Sequence, residues 1–245
     1  MKNLLILVLS ISVQLFSQPF LVIGHRGACG YEPENTLRSF RRAIDMGVKM
    51  IELDAFVCAS GELVVIHDPT LERTTNGIGY VEDLTWDSLK HLDAGKGEHI
   101  PLLSQVLDLV DKRIIINIEL KGAHTEKPVA NLIHEYVKNK AWSYENFVVS
   151  SFDHYAVREF HELCPQVKTG VIFECNPIGY ADIVEKAQAN YAINFYESLT
   201  KEFIDDAHSR GIRIFAYTVN TKPLAIKLQQ LGIDGIFTNY PDLFN

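Results

Sequence analysis

The sequence predicts an α/β protein folded as a (β/α)8 barrel of the TIM type, with a small insertion after the strand that ends at His67. Three observations predict it. Short β-like runs alternate with helical patterns through most of the chain, at the spacing a strand-plus-helix repeat needs. Several runs, notably Ile114-Ile115-Ile116 and Phe147-Val148-Val149, are continuous β-branched or aromatic stretches, which suit strands buried on both faces of a parallel sheet. The chain has 245 residues, 47% hydrophobic and 22% charged, which fits one large globular domain.

The first 17 residues stand apart. Lys2 supplies a positive start, and Leu4 to Val13 is almost wholly apolar but too short for a stable membrane span. This is the pattern of a secretory signal peptide over 1–17, cut after Ser17, although Leu15 is larger than the small residue usual three positions before a cut. The barrel domain is then expected over 18–245, in an exported protein, periplasmic or secreted.

Strands are predicted at 20–24, 50–57, 63–66, 113–119, 147–150, 168–172, 191–194, 213–218 and 235–237, one more than a barrel of eight requires. Helices fall between them. Leu37, Phe40, Ile44 and Val48 repeat at helical spacing after a cap at Asn35 or Thr36. Residues 125–138, 154–163, 182–189, 201–209 and 224–231 read likewise, with Gly211 and Gly232 as stops. Between Val57 and Leu63 there is room only for a tight turn at Ser60-Gly61, so these two strands must form an antiparallel hairpin. Pairing Ala59 with Glu62 would set His67 opposite Asp54 and turn Asp68 away. Residues 68–102 carry turn signals and a short helix near 85–92, and are read as an insertion at the barrel mouth.

A formal charge of −8 with no Lys/Arg run argues against a nucleic-acid partner. An anionic substrate would depend on local cations. Of the four cysteines, Cys164 and Cys175 close the shortest loop, but free thiols are the simpler reading, and no zinc spacing is present.

The ionisable residues cluster at strand ends, where a parallel barrel places reactive groups. Glu52 and Asp54 share one face of an apolar strand, and Glu119 ends another. Buried carboxylates need a cation, and three of them without a Cys ligand suit one divalent ion, Mg²⁺ or Ca²⁺. His25 and His67 are candidates for general acid and base. Arg26 and Lys121 can neutralise phosphoryl oxygens. Gly27 is read as allowing backbone close to a ligand. Phe152, Phe173 and Tyr217 are candidate mouth aromatics. Glu52 and Asp54 are too close together for the usual carboxylate pair of a sugar hydrolase.

His25-Arg26-Gly27 with Pro33-Glu34-Asn35-Thr36, Glu52-x-Asp54, Val65-Ile66-His67-Asp68-Pro69, Glu119-Leu120-Lys121 and the tail Thr218…Asp234-Gly235-Ile236-Phe237-Thr238 occur in one order. In this the chain resembles the glycerophosphodiester phosphodiesterase family, among the barrel phosphodiesterases that include phosphatidylinositol-specific phospholipases C. The resemblance covers residues 20 to 245. It implies metal-dependent hydrolysis of a glycerophosphodiester, a small-molecule substrate, to an alcohol and sn-glycerol 3-phosphate. It implies His25 and His67 as the acid/base pair, Glu52, Asp54 and Glu119 as metal ligands, and Arg26 and Lys121 as phosphate binders. Glu34 and Asn35 are expected to shape the loop and cap the helix. Tyr217 stands where the family often has Trp, and Asn239 where Asp is common. The alternative is a lysophospholipase D or phospholipase C-like activity on lipid-bearing diesters.

Overall fold

The computed structural model describes residues 20–244; the leader read over 1–17 lies outside them. Every strand candidate forms a strand: β1 (Leu21–Gly24), β2 (Met50–Val57), β3 (Leu63–Val65), β4 (Ile115–Leu120), β5 (Phe147–Ser151), β6 (Lys168–Phe173), β7 (Tyr191–Phe195), β8 (Arg213–Tyr217) and β9 (Gly235–Thr238). The sheet runs β1-β9-β8-β7-β6-β5-β4-β2-β3, and β1 also pairs with β2. The parallel strands therefore close into an eight-stranded barrel. The surplus strand is β3, which hangs on β2 as an antiparallel edge.

The helices are α1 (Leu37–Asp45), α2 (Trp86–Leu89), α3 (Leu103–Val110), α4 (Glu126–Asn139), α5 (His154–Leu163), α6 (Asp182–Lys186), α7 (Lys201–Ser209) and α8 (Lys222–Leu231). Helix α3 is an element not predicted above, although its buried Leu103, Val106, Leu107 and Val110 repeat at helical spacing. Thr36 caps α1, its side chain accepting from the Ser39 N–H, which resolves the cap between the two candidates. Apolar helix stripes cover the outer face of the barrel. Phe40, Phe160 and Phe203 are fully buried there, each contributing about 2–3 kcal/mol of transfer free energy.

Strand alternation sends the other residues inward. Ile23, Met50, Val148, Ile172, Tyr191, Ile193, Phe215 and Phe237 fill the barrel. Further along the same inward rows stand Glu52 and Asp54 on β2, and Asn117 and Glu119 on β4. The interior is thus apolar in its body and ionisable at the carboxyl ends of the strands.

The hairpin departs from its predicted register by one residue. Val57 pairs with Leu63, Phe56 with Val64 and Ala55 with Val65. The Cys58 N–H donates to the Glu62 carbonyl, leaving a three-residue loop, Ala59-Ser60-Gly61, with Gly61 at φ +97°. That left-handed glycine favours the longer loop over a two-residue turn. Ile66, not His67, therefore lies opposite Asp54, and its N–H donates to the Asp54 carbonyl. Residues 68–102 form a rim subdomain. Leu71, Val81, Leu89 and Ile100 pack with Phe56, Val64 and Ile66 in a small core of their own.

Candidate functional site

Register places the acidic groups. Asp54 on β2 is level with Glu119 on β4, and Glu52 sits one inward position deeper, level with Asn117. One carboxylate oxygen from each of Glu52, Asp54 and Glu119 lies within 4.8 Å of the others. All three side chains are buried. Glu52 Oε2 accepts from the Arg26 backbone N–H at 2.8 Å, Asp54 Oδ2 from Asn35 Nδ2 at 2.8 Å, and Glu119 Oε1 from Lys121 Nζ at 2.9 Å. Glu52 Oε1 and Asp54 Oδ1 are buried without a hydrogen-bond donor. Burial raises the pKa of all three carboxyls, and mutual repulsion adds to the rise at Glu52 and Asp54. A set of hard oxygen ligands with two buried orphan atoms fits a divalent cation of the Mg²⁺ or Ca²⁺ kind.

Two cations face this trio. Arg26 follows β1 in the left-handed region, at φ +50°. Its Nη1 donates to Glu34 Oε1 at 2.7 Å, and its Nε lies 3.5 Å from Asp54 Oδ2. Lys121 is the next inward residue after Glu119, with Nζ 4.0 Å from Asp54 Oδ1 and 3.3 Å from His67 Nε2. Burial works against both charges, but the surrounding carboxylates outweigh it and raise both pKa values.

The imidazoles are held by different devices. His25 is the next inward residue after Ile23. Its Nδ1–H donates to Asn239 Oδ1 at 2.7 Å, and the Asn239 N–H donates to Asn220 Oδ1 at 2.9 Å. Burial, helped by the Arg26 charge, lowers the His25 pKa to about 3. His67 donates Nδ1–H to Asp68 Oδ1 at 2.6 Å. Asp68 therefore turns toward its neighbour, contrary to the alternation expected, because the chain has left the strand by residue 66. Burial lowers the His67 pKa, with the Asp54 and Asp68 charges opposing. With each Nδ1 anchored, Nε2 is the ring nitrogen left to meet other partners, as His67 Nε2 meets Lys121 Nζ.

Glu34, Asn35, Asp68, Arg73 and Asn239 take part without having been predicted as site residues. Asn35, at φ +58°, serves Asp54 rather than the helix. Arg73 binds Glu34 through both Nη atoms, at 2.8 Å each, and ion-pairs with Asp68 through Nε. Arg73, followed by burial in opposition, holds Asp68 at about 2; at Glu34 burial opposes, but Arg73 and Arg26 prevail and lower it to about 2. Gly27 is required by packing. At φ +84°, a Cβ there would lie 2.4 Å from Ser39 Oγ, so the position is reserved for close packing on α1.

The cavity is about 370 Å³ and is lined by His25, Arg26, Glu52, His67, Glu119 and Lys121 on one side. Phe152, Glu174 and Tyr217 line it on the other. Phe173 faces outward instead, its ring packed edge-on against Phe203. All four cysteines are free, with Cys164 buried and Cys175 exposed. No helix among the described residues is long and apolar enough to cross a membrane.

A family model for the glycerophosphoryl diester phosphodiesterase family matches residues 25–243. YhdW of Bacillus subtilis (strain 168) is 39% identical over 232 residues, covering 90% of this chain and 95% of its own. A glycerophosphodiester phosphodiesterase of Caldanaerobacter subterraneus subsp. tengcongensis is 35% identical over 231 residues, covering 91% and 95%. The structure of an Oleispira antarctica phosphodiesterase in complex with the product sn-glycerol-3-phosphate superposes with a TM-score of 0.84 at 29% identity, covering 91% of this chain and 94% of its own.

Proposed function

Since the chain belongs to the glycerophosphoryl diester phosphodiesterase family, we propose that its two strand-end histidines drive cation-dependent hydrolysis of small glycerophosphodiesters to an alcohol and sn-glycerol 3-phosphate. One observation carries the reading. Two imidazoles, each with Nδ1 anchored, share a cavity with two cations and with Glu52 and Glu119, two members of a buried carboxylate trio completed by Asp54.

Glu52, Asp54 and Glu119 would hold the divalent ion, Mg²⁺ or Ca²⁺, which supplies Lewis acidity toward a phosphoryl oxygen. Arg26 and Lys121 bind the non-bridging oxygens and offset charge that builds at phosphorus. His25, kept neutral by burial, takes the proton of the attacking hydroxyl at Nε2. His67, backed by the Asp68 carboxylate, is the better proton carrier and delivers one to the leaving oxygen. The proposal includes export, resting on the apolar leader over 1–17; it expects a mature exported chain that begins at Gln18, read by N-terminal mass spectrometry.

The test is turnover of a glycerophosphodiester with glycerol 3-phosphate as the measured product. His25→Ala and His67→Ala each lower kcat at least about a hundredfold. Chelation abolishes turnover, and Mg²⁺ or Ca²⁺ restores it. Full activity in either alanine variant, or in protein shown to be metal-free, overturns the assignment.

A further inference from the structure

Strand register gathers more than the three carboxylates. Parallel pairing of β2 with β4 sets Glu52 level with Asn117 and Asp54 level with Glu119, all four on the inward face. They form the corners of a two-by-two patch. The acidic corners are taken up by the cation reading. Asn117 is the remaining corner, and no step above uses it. It is 1% exposed and borders the catalytic cavity. Its two polar atoms differ. Nδ2 donates to Ser150 Oγ on β5 at 3.0 Å. Oδ1 is buried with no hydrogen-bond donor among the described residues.

That amide has a direction. β4 lies between β5 and β2 in the sheet. The oxygen and nitrogen of an amide diverge from one carbon, so tying Nδ2 to β5 turns Oδ1 away from β5, to the side where Glu52 stands. A buried carbonyl oxygen without a partner is destabilising. Glu52 Oε1 and Asp54 Oδ1 share that condition on the neighbouring corners. As ionised groups and a carbonyl, none of these three oxygens can donate to another. A cation between them satisfies all three at once. An amide oxygen is a hard ligand of the kind that Mg²⁺ and Ca²⁺ accept. Being neutral, it fills a coordination position without adding to the repulsion among the carboxylates. Resting on the cation-dependent reading above, we infer that Asn117 Oδ1 is a fourth protein ligand of the divalent ion, and that Ser150 is the positioning residue that orients it. Both ions take more oxygens than these four, so positions remain for water and for the substrate.

The experiment reads cation affinity directly, without substrate. Mg²⁺ and Ca²⁺ are titrated separately into chelator-treated protein by isothermal titration calorimetry, and Tm is recorded with and without each ion. Asn117→Leu keeps the volume and removes the oxygen, and is expected to raise the Kd at least about tenfold. Asn117→Asp restores an oxygen at the same place and is expected to bind at least as tightly as the wild type. Ser150→Ala frees the amide and is expected to raise the Kd by a smaller factor. A residue that merely ties β4 to β5 would behave otherwise: Asn117→Leu and Ser150→Ala would lower Tm equally with and without ion and leave the Kd unchanged. If Asn117→Leu fails to fold, Asn117→Asp and Ser150→Ala decide the matter by the same two readouts. An unchanged Kd in Asn117→Leu beside lost binding in Glu52→Gln overturns the fourth ligand and leaves the hydrolase reading standing. A Kd in Asn117→Asp weakened as far as in Asn117→Leu also overturns it. A wild type that binds neither ion overturns both.

Discussion

Replacing Glu52 with Gln separates the cost of the acidic trio from its use. In metal-free protein the three carboxylates repel one another across ligand-atom separations within 4.8 Å. At an effective dielectric of about 20, each like-charged pair at that distance costs about 3.5 kcal/mol. Glu52 belongs to two such pairs, about 7 kcal/mol in all. Attraction to Arg26 and partial proton uptake by a carboxyl whose pKa is raised by burial offset most of this. Gln keeps an oxygen for the Arg26 N–H and removes the charge. Glu52→Gln is therefore expected to stabilise the metal-free protein by about 2 kcal/mol. A cation at a hundred times its Kd stabilises the wild type by about 2.7 kcal/mol and the variant far less, so the order reverses. Urea unfolding in chelator and in millimolar Mg²⁺ or Ca²⁺ measures both. The pH dependence has a definite sign. The folded trio holds protons more tightly than the unfolded chain, so its contribution to metal-free stability is fully present below the ordinary carboxylate range and is lost as pH rises through the raised values. Bound cation removes that slope. A variant less stable than wild type in chelator, with a wild type that gains nothing from either ion, would refute the reasoning.

Asp68→Asn removes the carboxylate behind His67 and is expected to lower kcat at least about tenfold with a small change in KM, seen in steady-state kinetics. Asn35→Ala leaves buried Asp54 Oδ2 without its donor and should cost about 1–3 kcal/mol in unfolding free energy. Glu34 and Asp68 are both held at about 2, so the stability they add is present above the usual carboxylate range and is lost as pH falls through it toward 2. Arg73→Ala should accordingly move the midpoint of acid unfolding to higher pH, followed by circular dichroism.

The strands of the barrel were legible because burial on both faces demands continuous apolar runs, which few other elements show. The acidic trio was legible for the converse reason: Glu52, Asp54 and Glu119 interrupt such runs, and a buried charge there needs a partner. What stayed hidden depends on distance along the chain or on local conformation. Arg73 meets Glu34 across 39 positions, and Asn239 meets His25 across 214, with no periodicity to announce either. The hairpin register turned on whether Gly61 adopts a left-handed φ, which alternation in the flanking strands cannot reveal. Helix α3 shows its spacing plainly; after a long rim segment, the resumption of barrel order was the missing cue.

The one-residue shift in the hairpin bears directly on the histidines. His25 is fixed by the barrel itself: its backbone N–H donates to the Thr238 carbonyl at 2.9 Å, and its ring continues the inward row of β1. His67 has no such support. The shift puts Ile66 opposite Asp54, so sheet alternation does not aim the His67 ring. Its place is set by Asp68 and Lys121, and through Asp68 by Arg73, with side chains 29%, 23%, 17% and 46% exposed for His67, Asp68, Lys121 and Arg73. Ion pairs at that exposure are weakened by salt, whereas backbone pairing in a closed barrel is not. His25 is therefore part of the rigid scaffold, and His67 hangs on a rim network that ionic strength can loosen.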